Sequence, residues 1–261
     1  MRPKKSLGQN FLIDTNILSN IVNYGDIKSN DTILEIGAGT GNLTKKILEK
    51  SPKNLILVEK DKELAETLNM KFGSRVKIIN DDILNCLNNL KFSKPIKVFG
   101  NLPYNISSQI LVNFVKMENL NKNYKKFIFM FQKEMADRII AKNNTKHYGR
   151  ISILTSWRMN YEKIFDINPN SFYPKPKVWS SLVIFSPKDN YERLNKVKNL
   201  EHITNIFFNQ RRKMIKKPMK QLFSEYEKVA NILEIDLNLR PQNLSKDKYI
   251  EICKIYEKLI Q

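Results

Sequence analysis

The strongest constraint on this 261-residue chain is a glycine-rich turn set between an apolar strand and a helix-like stretch. Thr32-Ile33-Leu34-Glu35-Ile36 reads as a short buried strand, Gly37-Ala38-Gly39-Thr40-Gly41 follows at once, and Leu43 to Lys50 carries spaced apolar residues among polar ones. Glycines here let the backbone turn sharply and come close to a ligand. The alternation then repeats. Asn54-Leu55-Ile56-Leu57-Val58, Val76-Lys77-Ile78-Ile79, Ile96-Lys97-Val98-Phe99 and Phe127-Ile128-Phe129-Met130-Phe131 have strand character. Asp61 to Phe72, Ser107 to Lys116 and Lys133 to Ala141 have helical character, with Ser107 or Ser108 as an N-cap. Apolar strands alternating with helices predict an α/β architecture, a mostly parallel sheet covered on both faces.

After Gly149 the pattern changes. Ile151 to Phe165, in part, and Val178 to Phe185 read as strands of an antiparallel edge, joined by the proline-containing segment Asn168 to Lys177. From about Asn195 no strand pattern remains, and Ile203, Ile206 and Phe207 recur at helical spacing, as do Ile250, Cys253, Ile255 and Leu259. Two domains are expected, residues 1–188 and a small all-helical domain over 189–261, with the boundary near Pro187-Lys188-Asp189-Asn190.

Composition narrows the function classes. No apolar stretch approaches the roughly 18 to 20 residues of a membrane span, and Met1-Arg2-Pro3-Lys4-Lys5 leads into polar residues, so a cytoplasmic protein is expected. Cys86, Cys253, His147 and His202 fall in no metal-ligand spacing, so the cysteines read as reduced thiols and no metal is expected. The net charge of +19 favours a polyanionic partner, with nucleic acid ahead of an anionic membrane. A coding bias toward Lys, Asn and Ile is the competing source of that charge.

The glycine turn implies a nucleotide-like cofactor. A dinucleotide fingerprint starting at Gly37 needs its last glycine at position 42, which is Asn42; this weakens a nicotinamide cofactor and favours S-adenosylmethionine (SAM). A purely structural turn is the other reading of the glycines alone. Glu59, about twenty residues on at the end of the second strand, is placed to accept ribose hydroxyls, and Asp82, after the third, to accept an adenine amine. Asn101-Leu102-Pro103-Tyr104 closes the fourth strand. An aromatic exocyclic amine is a poor nucleophile because its lone pair is delocalised into the ring. Asn101 through its side-chain oxygen and Leu102 through its carbonyl can accept the two amine hydrogens, Pro103 fixes the turn, and Tyr104 can stack on the base. In-line methyl transfer needs positioning rather than a general base. Taken alone, the tetrapeptide reads first as a proline turn ending a strand; behind a glycine loop and two acids the reaction-centre reading prevails.

Several segments in one order resemble the KsgA (RsmA) family of 16S rRNA adenine dimethyltransferases. They are Lys4 to Leu12 (KKSLGQNFL), Glu35 to Gly41, Asn101 to Ser107 (NLPYNIS), Gln132 to Arg138 (QKEMADR), Tyr148-Gly149-Arg150, Phe172 to Val178 (FYPKPKV) and Gln210 to Met214 (QRRKM). The resemblance implies a Rossmann-like SAM-dependent methyltransferase fold with a seven-stranded, mostly parallel sheet and a helical C-terminal domain. It implies SAM contacts from Asn10, Leu12, Gly37, Gly39, Glu59, Asp82, Ile83 and Asn101, with S-adenosylhomocysteine as product, and Phe172 facing Tyr104 across the target adenine. On residue type alone Phe172 is also a core phenylalanine.

Arg211, Arg212, Lys213, Lys216, Lys217 and Lys220 form a basic cluster suited to RNA phosphates, as do Arg2, Lys4 and Lys5; a solvated helix face explains the former cluster equally. The family pattern departs at Arg240-Pro241-Gln242-Asn243-Leu244, where relatives carry Arg-Ala-Glu followed by a further residue and Leu. The implied activity is dimethylation of two adjacent adenosines near the 3′ end of 16S rRNA, within the small subunit or its precursor, by a monomer that also serves subunit biogenesis. Two other functions fit the same residues. One is an erythromycin-resistance type 23S rRNA methyltransferase, in which Leu102 is commonly replaced; the other is an assembly factor that binds RNA without catalysis.

Overall fold

The structure is a computed structural model that describes residues 3–4 and 7–259. Arg2 and Lys5 of the N-terminal basic group lie outside the described residues. The strands are β1 (Phe11–Leu12), β2 (Thr32–Ile36), β3 (Asn54–Val58), β4 (Lys77–Ile79), β5 (Ile96–Asn101), β6 (Tyr124–Gln132), β7 (Met159–Ile167), β8 (Phe172–Tyr173) and β9 (Ser180–Pro187). The helices are α1 (Thr15–Tyr24), α2 (Asn42–Leu48), α3 (Lys62–Phe72), α4 (Ile83–Cys86), α5 (Ser107–Lys116), α6 (Leu120–Asn123), α7 (Lys133–Ile139), α8 (Arg150–Arg158), α9 (Val197–Phe208), α10 (Lys216–Leu222), α11 (Tyr226–Ile232) and α12 (Lys246–Leu259).

Seven strands form one sheet in the order β4-β3-β2-β5-β6-β9-β7, and β1 pairs with β8 in a separate ribbon. β4, β3, β2, β5 and β6 are parallel, and β9 runs antiparallel to β6. The chain starts this sheet at β2, moves outward through β3 to β4, then returns to lay β5 on the other side of β2. That reversal opens a crevice at the C-terminal ends of β2 and β5. This is the Rossmann-like methyltransferase sheet expected from the sequence.

The run Phe127 to Phe131 is continuous because β6 is buried on both faces. Ile128 and Met130 join a core cluster with Leu18 and Ile21 of α1, Leu43 and Ile47 of α2, and Leu68 and Phe72 of α3. Phe127 and Phe129 point the other way, toward Phe114 of α5, with ring centroids 4.9 and 6.0 Å away. Each such fully buried side chain contributes roughly 1.5–3 kcal/mol relative to exposure. Aspartates that precede helices cap them. Asp14 accepts from Asn16 and Ile17 at α1, and Asp61 from Glu63 at α3. The expected Ser107 or Ser108 cap of α5 is not formed. Ile106 occupies the cap, and the Ser107 hydroxyl donates to the Tyr104 carbonyl at 3.2 Å.

The chain divides into two compact units: one runs to Ala136 and takes up again over Asn160–Lys188, and the other holds Asp137–Met159 and the chain from Asp189. The sequence boundary after residue 188 falls at one of these crossings, but residues 137–159 had been placed wholly in the first domain. They group with the C-terminal helices because Arg150–Arg158 is helical, and the strand expected in part of Ile151 to Phe165 begins only at Met159 as β7. Ile153, Leu154 and Trp157 are buried together at helical spacing. In the second unit Phe207 of α9 packs on Tyr249 of α12 at 5.3 Å, and buried Glu257 of α12 accepts hydrogen bonds from the Asn195 and Lys196 N–H groups and the Asn199 amide at the start of α9. No helix among the described residues is long and apolar enough to cross a membrane.

Candidate active site

The C-terminal ends of β2, β3, β4 and β5 open into one crevice enclosing about 900 Å3, including its mouth. Gly37, Gly39, Glu59, Asp82, Ile83 and the whole Asn101-Leu102-Pro103-Tyr104 turn line it, together with Asn10 from the segment before β1. Leu12 lies instead beside a small adjoining cavity shared with Gly37, Gly39 and Asn101.

The glycines are required where they stand. Gly39 has φ +57°, and a Cβ there would sit 2.9 Å from the Phe11 ring. Gly37, at φ +69°, brings the loop against the end of β5, with its Cβ position 3.7 Å from the Asn101 carbonyl oxygen. This turn delivers a backbone donor to Glu59: the Gly39 N–H donates to one carboxylate oxygen and the Asp61 N–H to the other, both at 2.9 Å. The carboxylate is thereby fixed with one further acceptor position on each oxygen for a pair of hydroxyls. Burial raises the Glu59 pKa, opposed by the Asp61 and Gly39 N–H groups. Beside it, Glu35 is 1% exposed and accepts from the Thr44 hydroxyl at 2.8 Å. Burial pushes its pKa up to about 8, and the nearby Glu59 charge adds to the shift.

Asp82 follows β4. One of its oxygens caps α4 by accepting the Leu84 N–H at 2.9 Å, and the other accepts from Lys60 at 3.0 Å. Ile83, the first residue of α4, leaves its N–H without an intrahelical partner. A carboxylate acceptor and an N–H donor side by side complement the amine and ring nitrogen of an adenine. The residues present therefore fit SAM: hydroxyl acceptors, an adenine edge and a glycine turn face one crevice.

Asn101 ends β5, and its Nδ2 donates to the Asn10 carbonyl at 2.7 Å. With the amide nitrogen so engaged, Oδ1 is the end left to accept. In the turn that follows, the Pro103 carbonyl accepts the Ile106 N–H at 3.1 Å and the Tyr104 carbonyl accepts the Ser107 hydroxyl, while the Leu102 carbonyl accepts nothing from the described residues. Two acceptors thus remain at successive residues. The Tyr104 hydroxyl shares a 2.6 Å hydrogen bond with Ser180 of β9, which holds the ring in place, and burial raises the phenol pKa against that hydrogen bond.

Phe172 is not among the residues that line the crevice itself. Its ring is 3% exposed, opposite Leu12 in the β1–β8 ribbon, and packs in the core cluster beneath the sheet. Antiparallel pairing with β1 sets Phe172 opposite Leu12, which borders the adjoining cavity with Asn101, and leaves neighbouring Tyr173, 60% exposed, outside.

Sequence reasoning gives no role to the side chains of Gln9 and Ser180, and it reads Lys4 as a phosphate contact, whereas Lys4 is committed to an acid. Gln9 and Lys4 both bind the Asp61 carboxylate, at 3.1 and 2.9 Å, tying the N-terminal segment to the crevice wall. Ser180 positions Tyr104 from 76 residues away. No periodicity or spacing signals such pairings.

The C-terminal basic cluster divides by environment. Arg211 is a structural residue: its guanidinium donates to the Gln242 side chain at 3.2 Å and to the carbonyls of Thr145 and Lys146. The departure at Arg240 to Leu244 supplies that anchor, since the Gln242 carbonyl also accepts the Asn144 N–H and the Pro241 carbonyl the Tyr249 hydroxyl. The Lys216 and Lys220 ammonium groups lie 6.0 and 5.0 Å from the Tyr226 ring centroid. Arg212, Lys213 and Lys217 are exposed and make no ion pair or hydrogen bond through their side chains with described residues.

Comparison with known proteins agrees with the geometry. The family model described as ribosomal RNA adenine dimethylase matches residues 1–258. The Ribosomal RNA small subunit methyltransferase A of Pelagibacter ubique (strain HTCC1062) is 53% identical over 259 residues, covering 99% of this chain and 98% of that one. The protein of the same name from Ehrlichia ruminantium (strain Gardel) is 40% identical over 263 residues, with 97% of each chain covered. Among solved structures, a dimethyladenosine transferase from Plasmodium falciparum superposes with a TM-score of 0.77 at 24% identity, over 95% of this chain and 98% of that one. The 23S rRNA methyltransferase ErmE gives 0.69 at 19%, over 96% and 100%. At such identities the two structures support the fold alone.

Proposed function

The chain belongs to the ribosomal RNA adenine dimethylase family, and from that premise we propose that the crevice over β2 and β5 presents the N6 amine of a ribosomal adenosine to Asn101 and Leu102. The protein is a SAM-dependent rRNA adenine dimethyltransferase. Its substrate is taken to be two adjacent adenosines near the 3′ end of 16S rRNA, within the small subunit or its precursor. The relatives at 53% and 40% identity, both small-subunit methyltransferases by name, support that choice over large-subunit rRNA. An rRNA substrate supports a cytoplasmic location.

When bound, SAM supplies an electrophilic methyl group on its sulfonium. Glu59 holds the ribose hydroxyls, and Asp82 with the Ile83 N–H reads the adenine edge. Tyr104 stacks on the target base, its ring steadied by Ser180. Asn101 Oδ1 and the Leu102 carbonyl accept the two amine hydrogens and draw the nitrogen toward tetrahedral geometry, so that its lone pair leaves the ring and points along the line of attack. The proton released on bond formation passes to water. For the second transfer one N–H remains, and either acceptor suffices to hold it.

The observation that carries this reading is the Asn101–Asn10 hydrogen bond, which turns the amide oxygen toward the substrate side. Incubation with labelled SAM and unmethylated small subunits, followed by mapping of the modified bases, tests it. Dimethyladenosine at adjacent positions in small-subunit rRNA is expected; label in large subunits alone would overturn the assignment.

A further inference from the structure

The end of the sheet opposite the crevice holds a second concavity, an open groove of about 1910 Å3. It is built from the segments that lead into β2, β3, β4 and β5 and from the start of β6. Lys53, Arg75, Lys77, Lys91, Lys94 and Lys125 line it, all exposed and none in an ion pair with a described residue. The one acid in the lining, Asp31, is already committed. It binds Lys97, a buried cation 3% exposed, at 2.7 Å and accepts the Lys28 N–H at 2.8 Å. Six cations therefore converge with no carboxylate left to neutralise them, a condition that a bound polyanion relieves.

The rest of the lining decides which polyanion. Asn30, Asn54, Ser74 and Ser93 add the polar groups that contact phosphate and sugar oxygens. None of the large apolar side chains exposed among the described residues belongs to the groove, where the one aromatic, Phe92, is half-buried, so the lining is poorly suited to entering a bilayer. The groove and the crevice lie at opposite ends of five-residue strands, separated by about 17 Å of sheet. A short hairpin whose loop base is in the crevice does not also fill the groove without passing around the domain edge.

We propose that this groove is a second RNA-binding site, which grips the phosphodiester backbone of a ribosomal RNA segment distinct from the one whose adenosines enter the crevice. It rests on rRNA being the substrate. The catalytic end selects the base, and the basic end secures the assembled particle.

The test compares Lys53→Glu with Lys94→Glu, combined, against the charge-matched pair Lys45→Glu with Lys50→Glu, which lies outside the groove. Binding to purified unmethylated small subunits and to a short RNA hairpin with two adjacent loop adenosines is titrated for each protein against salt. The groove variant is expected to bind small subunits on the order of tenfold more weakly, with a salt slope reduced by about 1.4 to 1.8 for two lost phosphate contacts. Hairpin binding and single-turnover methyl transfer should stay within about twofold of wild type, as should the control variant on both RNAs. An equal loss on the hairpin, an equal loss in the control, or unchanged binding to small subunits would overturn the proposal. So would a loss confined to vesicles of phosphatidylserine, titrated alongside the two RNAs. If the wild type methylated neither RNA, the assigned reaction would fail, while the binding titrations would still decide the groove.

Discussion

The crevice at the end of β2 and β5 and the basic segment from Arg211 to Lys220 both display polar side chains, but they use them in opposite ways. In the crevice each functional group is fixed by a second protein group: Glu59 by two backbone N–H groups, Tyr104 by Ser180, Asn101 by Asn10. In the basic segment the fixed residue, Arg211, is the one removed from recognition, and the free ones, Arg212, Lys213 and Lys217, are available to phosphates. Chemistry on a weak nucleophile demands geometry, whereas holding a polyanion demands charge. The same contrast separates what a substitution should do in each place.

The largest effect is expected at Asn101. Asn101→Ala should lower kcat by about 10² to 10³, the scale of losing one preorganised transition-state contact, with RNA affinity unchanged. Single-turnover methylation alongside a binding titration measures both, and a normal rate would remove Asn101 from the reaction. Next comes Glu59→Ala, which should weaken SAM binding about 10- to 100-fold by deleting hydrogen bonds to a charged acceptor, while RNA binding persists. Calorimetric titration with SAM reads this directly, and restoration of ribosome maturation by the variant in cells would favour an assembly role over catalysis.

A third expectation concerns pH. Glu35 carries a proton in the folded protein up to about pH 8, but loses it near 4.5 when unfolded. Between those values the folded state holds the extra proton, so stability falls as pH rises, by up to about 1.4 kcal/mol per unit. Denaturant unfolding from pH 5 to 8 should show this slope, and Glu35→Gln should flatten it. The smallest effect belongs to the basic segment. Arg212→Ala with Lys213→Ala should reduce the salt slope of RNA binding by about 1.4 to 1.8 and leave kcat within about twofold. A large fall in kcat there would erase the distinction between the two regions.

Much of the crevice was legible in the sequence because each part lies at a strand end whose period and apolar run announce it. The glycine turn, Glu59, Asp82 and Asn101 all line the cavity the alternation predicted. What stayed hidden depends on which way a side chain faces. Residue type leaves Phe172 open between a pocket and a core aromatic, and only its pairing with Leu12 shows how it is buried. Ile151 to Thr155 has the β-branched content of a strand, yet burial of Ile153, Leu154 and Trp157 along one face makes it helical. Arg211 looked like its neighbours in the basic run, and only Gln242 and the carbonyls of Thr145 and Lys146 set it apart. Non-local partners of this kind leave no periodic trace.

An amide is a small dipole that can be mounted either way round, and the two mountings have nearly the same shape. At Asn101 one of them attracts the hydrogens of an incoming amine and the other repels them. The Asn10 carbonyl stores that single binary choice in the fold. A net hydrogen-bond preference of about 1 to 1.5 kcal/mol corresponds to roughly five- to twelvefold bias toward the useful setting. The N-terminal stretch is therefore more than a wall of the crevice. It sets the sign of the reaction centre, and a chain lacking it would present a site of correct composition whose polarity was no longer specified.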